Sequence, residues 1–204
     1  MTTLSITGDA EADALLSRNP FALIVGMVLD QQIRIEHAFA APKALSKRLG
    51  GRLDPATVAS TDPARLVALF SEKPALHRFP SSMASRVLAL ARVIVDQYGG
   101  DTEAIWKTAA SGDELVQDLA ALPGFGTQKA KIFAALLAKQ LGVRPSGWRE
   151  ATSPYGDDGA LRSVADIDSP ESLVMVREHK RQMKAAAKSV VRSSEGRATR
   201  STKR

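Results

Sequence analysis

Apolar residues recur at three- and four-residue spacing along almost the whole chain, and strict alternation over five or more residues is hard to find. A period near 3.6 lines one face of a helix, whereas a half-buried strand needs a period of two. The chain is therefore predicted to be all-α. Glycine and proline cut the pattern into pieces. After Pro20, the residues Phe21, Ile24, Val25, Val28 and Leu29 form one stripe. Ile33, Phe39, Leu45 and Leu49 continue a helical pattern, with an interruption expected near Pro42 and a stop at Gly50-Gly51. Asp62-Pro63 opens a short helix through Phe70, and Ser81 or Ser82 is a candidate cap for a longer one from Met83 to Tyr98, closed by Gly99-Gly100. Asp101 then starts a segment through Trp106. Gly112-Asp113 begins a helix with Leu115, Leu119 and Leu122 on one face. Thr127 is expected to cap the next, in which Ile132, Phe133, Leu136 and Leu137 face inward as far as Gly142. Residues 143–168 carry four Gly or Pro between Arg144 and Gly156 and read as a long irregular connection, of a kind that is often functional. Ser169-Pro170-Glu171 starts a last helix carrying Leu173, Val176, Met183 and Ala187.

Residues 1–188 thus read as one helical domain, and 189–204, almost devoid of apolar side chains, as a basic disordered tail. The absence of cysteine excludes disulfides, thiolate zinc sites, iron–sulfur clusters and cysteine nucleophiles. His37, His77 and His179 lack the paired spacing of a metal-binding helix, so no transition metal is expected. The first residues show no basic patch followed by an apolar run, and no window approaches the roughly 20 apolar residues of a membrane span. A cytoplasmic monomer with no membrane partner is expected. Charge is uneven: residues 177–204 hold ten Lys or Arg against Glu178 and Glu195, a local +8 on a total of +6. A near-neutral body with a cationic end suits an anionic polymer, although a merely solubilising tail explains the charge equally well.

One corner carries more specific chemistry. In Leu122-Pro123-Gly124-Phe125-Gly126, two glycines flank one apolar residue between helices. Such a turn lets backbone N–H groups approach a phosphate oxygen, and the following helix adds its positive end. Gly124, Gly126, Thr127, Gln128, Lys129 and Lys131 together form a candidate phosphate clamp that would read backbone and no base sequence. On spacing alone, an ordinary helix–turn–helix corner is as common.

The run Leu122 to Ala130, Leu-Pro-Gly-Phe-Gly-Thr-Gln-Lys-Ala, resembles the hairpin of the helix-hairpin-helix DNA glycosylase superfamily (HhH-GPD), which includes endonuclease III and bacterial alkyladenine glycosylases. A second match, Pro20 to Ile33, is similar to that family's early helix ending in a glutamine-containing turn. The likeness covers roughly residues 18–190. It implies two helical lobes with a cleft between them, and duplex DNA with a damaged base as partner. It also implies Gln31 or Gln32 as the side chain filling the gap left by an extruded base. No cofactor is required, beyond a monovalent cation (K⁺ or Na⁺) held by hairpin carbonyls. Asp30 and Glu36, on an otherwise apolar stretch, either line a base pocket or mark the solvent face. Trp148, between Arg144 and Arg149, is a further candidate for the base pocket, with Tyr155, His77 and Phe79 as other stacking candidates.

Breaking an N-glycosidic bond builds positive charge on the sugar, so a carboxylate must stabilise it and orient water. The resemblance implies an aspartate shortly before the next helix, which leaves Asp166 and Asp168; Asp166 is favoured because Val164-Ala165 matches the apolar residue before the family's aspartate, and a plain helix cap is the competing reading for both, Asp168 standing nearer the helix start. Asp157 and Asp158 look like turn residues. Family members that also nick the backbone carry a lysine where this chain has Gln128, so a monofunctional glycosylase without lyase activity is expected. Lys129, rotated by about 100° on a helix, is expected to aim elsewhere. The alternative is a non-catalytic DNA-binding module that kept the hairpin. The lesion is not legible in the sequence.

Overall fold

Asp9 begins the helical part of the chain by accepting hydrogen bonds from the N–H groups of Glu11 and Ala12. The computed structural model describes residues 3–201, with side chains as far as residue 186. Among these the fold is all-α: eleven α-helices, one 3-10 turn, no strand, and a single isolated bridge between Ser111 and Ser146.

Six helices form the first group: α1 (Ala10–Arg18), α2 (Pro20–Leu29), α3 (Ile35–Arg48), α4 (Pro55–Ala59), α5 (Pro63–Ser71) and α6 (Pro80–Tyr98). Proline at the first position pre-sets φ in α2, α4 and α5, and each follows an Asn or Asp whose side chain caps the first turn. Every residue of α2 from Phe21 to Leu29 is buried, as expected for a helix apolar all round. At Gly26 a Cβ would stand 2.7 Å from Cδ1 of Phe39, so α2 and α3 approach at a distance that only glycine permits. Although α2 follows α1 closely, the two bend by 115°, and no single described helix is long and apolar enough to cross a membrane.

The second group holds α7 (Ala104–Lys107), α8 (Gly112–Ala120), α9 (Thr127–Gln140), α10 (Trp148–Thr152), the 3-10 turn Val164–Asp166 and α11 (Pro170–Ser201). Helices α8, α9 and α10 pack on one another, and the 3-10 turn packs on α9. One continuous apolar core joins the two groups.

Several boundaries differ from those expected. Helix α3 runs through Pro42 without a break. The lost amide bond to Ala38 and the ring clash cost roughly 3 kcal/mol, which burial of Ala38, Phe39, Ala41 and Leu45 on the same turns offsets. Helix α6 starts at Pro80, before either serine, and has no side-chain cap. Residues 143–168 are less irregular than their Gly and Pro suggest, because α10 and the 3-10 turn are packed inside them. Where a disordered tail is expected from residue 189, the backbone of α11 continues to Ser201. Its side chains from 187 on, and residues 202–204 altogether, lie outside the described residues.

Candidate nucleic-acid interface and excision site

The corner between α8 and α9 is tight. Leu122 is buried and its carbonyl accepts the Phe125 N–H at 3.0 Å, while Phe125 packs edge-on against Phe133. Gly124 has φ +87°, a conformation that side chains disfavour, and a Cβ there would stand 3.0 Å from Cγ1 of Val28. The hairpin is thereby seated on the last turn of α2. Gly126, extended at φ −142° and ψ 173°, is the N-cap of α9 in place of the expected Thr127. A cap needs a non-helical backbone, and Thr127 is already in the helix. No side chain caps this terminus, and Gly126, Thr127 and Gln128 are all exposed. The bare N–H groups and the positive end of α9 therefore point out of the protein.

Immediately beside the hairpin lies the turn after α2, where the two adjacent glutamines have different fates. Gln31 is tied down on all sides. Its Nε2 donates to the Val28 carbonyl at 2.7 Å, its Oε1 accepts from Nη1 of Arg86 at 2.7 Å, and its carbonyl lies 2.9 Å from Nε2 of His77. His77 is buried, and its Nδ1 accepts the Phe79 N–H at 3.0 Å. The ring proton is thus assigned to Nε2, which donates to Gln31. Burial pushes the His77 pKa below its usual value, against the opposing pull of the Gln31 and Leu29 backbone, and this favours the neutral ring. Gln32 is exposed at φ +57°, the sole non-glycine residue with positive φ among the described residues. Strain of this kind costs about 1–2 kcal/mol and persists where the surroundings impose it.

Lys129 aims elsewhere than Gln128, into the protein. Its Nζ donates to the Val28 carbonyl at 2.9 Å, and burial, opposed by the charge of Asp30 and reinforced by Arg86 and Lys180, lowers its pKa to about 8. Rotation by one helical position turns Lys129 inward toward α2, while Gln128 stays at the surface and donates to the Tyr155 hydroxyl at 2.8 Å. Lys131 reaches the Ser153 carbonyl at 3.3 Å. Asp30 ends α2 with its side chain only 9% exposed, and Lys180 of α11 pairs with it at 3.3 Å. Glu36, near the start of α3, is held by Arg34 at 3.0 Å and Arg177 at 3.1 Å, and its Oε2 is buried without a hydrogen-bond partner. Burial works to raise its pKa, but its own backbone N–H and the two arginines hold it below the usual value.

Asp166, Asp168 and Trp148 belong to a different place. They line a cavity of about 770 Å³ together with Lys139, Arg144 and Arg149. The Asp166 carboxylate is buried in a capping box, where it accepts from the N–H groups of Arg162 and Ser163 and from Nζ of Lys139 at 2.6 Å. Asp168 is exposed. Trp148 is buried, with the Arg149 guanidinium 4.7 Å from its ring centre. Lys139 lies twelve residues along α9 from Thr127, a rise of about 18 Å. The structure therefore gathers the hairpin, Asp30, Gln31, Gln32 and Lys129 at one end of α9, and Asp166, Asp168 and Trp148 at the other. Sequence reasoning missed Arg86 and Lys180, which come from 55 and 150 residues away and carry no local signal.

No curated protein matches the chain. The family model described as HhH-GPD superfamily base excision DNA repair protein matches residues 25–192, spanning the glutamine turn, the hairpin and most of α11. With the turn, the hairpin and the all-helical frame in the positions described above, the chain belongs to the HhH-GPD superfamily of base excision DNA repair proteins.

Proposed function

We propose that this protein is a monofunctional DNA glycosylase, hydrolysing the N-glycosidic bond of a damaged or mismatched base extruded from duplex DNA. The observation that carries the reading is the juxtaposition of an uncapped, glycine-flanked helix start with a strained, exposed glutamine. The bare N–H groups of α9 take a phosphate oxygen of one strand. Gln32, with Gln31 fixed behind it, enters the stack and fills the gap as the base leaves. The partner is duplex DNA, bound by a monomer. Gln128 stands where a lyase lysine would, and its amide has no amine nucleophile to offer a sugar.

The hairpin also has oxygen donors suited to a hard monovalent cation. The Leu122 and Gly126 carbonyls are engaged by Phe125 and Ala130, whereas those of Gly124 and Phe125 accept no backbone hydrogen bond among the described residues. These two would hold such an ion, which would add positive charge next to a phosphate.

Duplexes carrying uracil, hypoxanthine, 8-oxoguanine, alkylated purines or mispaired thymine, incubated with the protein and then treated with hot alkali, test the reading. Strand breaks on at least one substrate are expected. Their absence on all, with duplex binding intact, favours the second reading, a non-catalytic binding module. The observation on that side is the engagement of Asp166 in a cap and an ion pair, at the far end of α9 from the hairpin.

A further inference from the structure

Excision needs a carboxylate within reach of the sugar whose base has been extruded, and that sugar must lie beside the residue that fills the gap. Gln32 and the hairpin fix this place at one end of α9. Asp166 pairs with Lys139, about 18 Å along the helix from Thr127, and its oxygens are already taken by that lysine and two backbone N–H groups. Asp30 precedes Gln32 by two residues at the end of α2, where Lys180 of α11 pairs with it at 3.3 Å and its charge acts on Lys129.

We propose that Asp30 is the carboxylate that faces the developing sugar cation, a role that rests on the glycosylase reading above and assigns the chemistry to a different aspartate than the order of helices suggests. In the step itself the C1′–N bond breaks and its electron pair leaves on the base. Water oxygen bonds to C1′, and Asp30 accepts one water proton and passes it to the departing base, so one water is consumed and the carboxylate is regenerated.

The partners of Asp30 fit this role. Lys180 is a side chain from another helix, 39% exposed and 3.3 Å away. A DNA phosphate competes for that amine and draws it off, leaving the carboxylate charge for the sugar. Lys129 donates to the Val28 carbonyl and forms no ion pair with Asp30 among the described residues, so of the two nearby amines only Lys180 engages the carboxylate directly.

The test needs no knowledge of the lesion. Two duplexes are compared, one with a neutral tetrahydrofuran abasic analogue and one with a cationic pyrrolidine analogue at the same position. The wild-type protein should bind the cationic duplex at least tenfold more tightly, as expected for a transition-state mimic. Asp30→Asn should bind the two alike. Lys180→Met, which keeps the carboxylate and removes its competitor, should widen the preference, and it carries the test if Asp30→Asn does not fold. A preference that survives in Asp30→Asn, that narrows in Lys180→Met, or that disappears in Asp166→Asn or Asp168→Asn instead, overturns the assignment while leaving the glycosylase reading intact. A wild-type protein with no preference overturns both.

Discussion

The ammonium of Lys129 donates to the backbone carbonyl of Val28, 2.9 Å away and 101 residues earlier in the chain. This bond ties the first turn of α9 to the last turn of α2, beside the hairpin and the glutamine turn. Position matters more here than strength, because the proposed excision needs the hairpin and Gln32 held in fixed register.

The same lysine makes stability depend on pH. Its folded pKa of about 8 lies below the 10.5 of the unfolded chain. Below pH 8 both states are charged and the folded state bears the cost of burying the ammonium. Between 8 and 10.5 the unfolded state binds more protons, so the wild-type contribution improves with rising pH, by up to about 3 kcal/mol. Lys129→Met removes this effect. Denaturant unfolding should show the variant's advantage over wild type shrinking from pH 7 to 10.5, and a gap independent of pH would contradict the burial of the amine.

Gln32 separates function from stability. Gln32→Gly should raise stability by about 1 kcal/mol, since glycine adopts φ +57° freely, yet lower single-turnover excision at least tenfold because nothing fills the gap. Thermal melting and a single-turnover assay on one active substrate check this pair of outcomes. A variant that is stabilised and fully active would remove Gln32 from the mechanism.

At Gly124 both effects run together. A methyl group there must tolerate φ +87° and displace Val28, which it meets at 3.0 Å. Gly124→Ala should lose about 1–3 kcal/mol and bind duplex more weakly. If its melting temperature equals that of wild type, the hairpin is not seated on α2 as described.

Binding should fall steeply with salt, because cations that neutralise phosphates release counterions. Residues 189–204 carry five Lys or Arg and one Glu. Deleting them should make the slope of log affinity against log salt shallower, by up to about one for each phosphate that is no longer neutralised. Fluorescence anisotropy across a salt series measures it, and a truncated protein with an unchanged slope would show that the basic end takes no part.

The helical frame was legible because its signals are local. The stripe from Phe21 to Leu29, the Asp-Pro start at Pro63 and the glycines at 99 and 124 each act within one turn. Helix ends were less so: Pro42 reads as a break, but burial of the surrounding turns overrides its cost, and Thr127 has the side chain of a cap although the extended backbone belongs to Gly126. The hairpin and glutamine turn were visible as motifs. Which glutamine is free was not, because the answer depends on His77 and Arg86 closing on Gln31 from distant segments. Nor could periodicity show that Lys129 turns inward, since that follows from where α2 ends relative to α9.

Gly126→Val tests the central claim most directly. The extended backbone at Gly126 tolerates a β-branched residue, and an added Cβ meets nothing within 4 Å among the described residues, so the variant should fold, losing about 1 kcal/mol because valine is a poorer N-cap than glycine. The branched side chain would stand over the bare N–H groups of α9. A melting temperature lowered by only a few degrees with duplex affinity reduced at least tenfold is expected; a folded variant that holds duplex DNA as tightly as wild type would contradict the phosphate clamp.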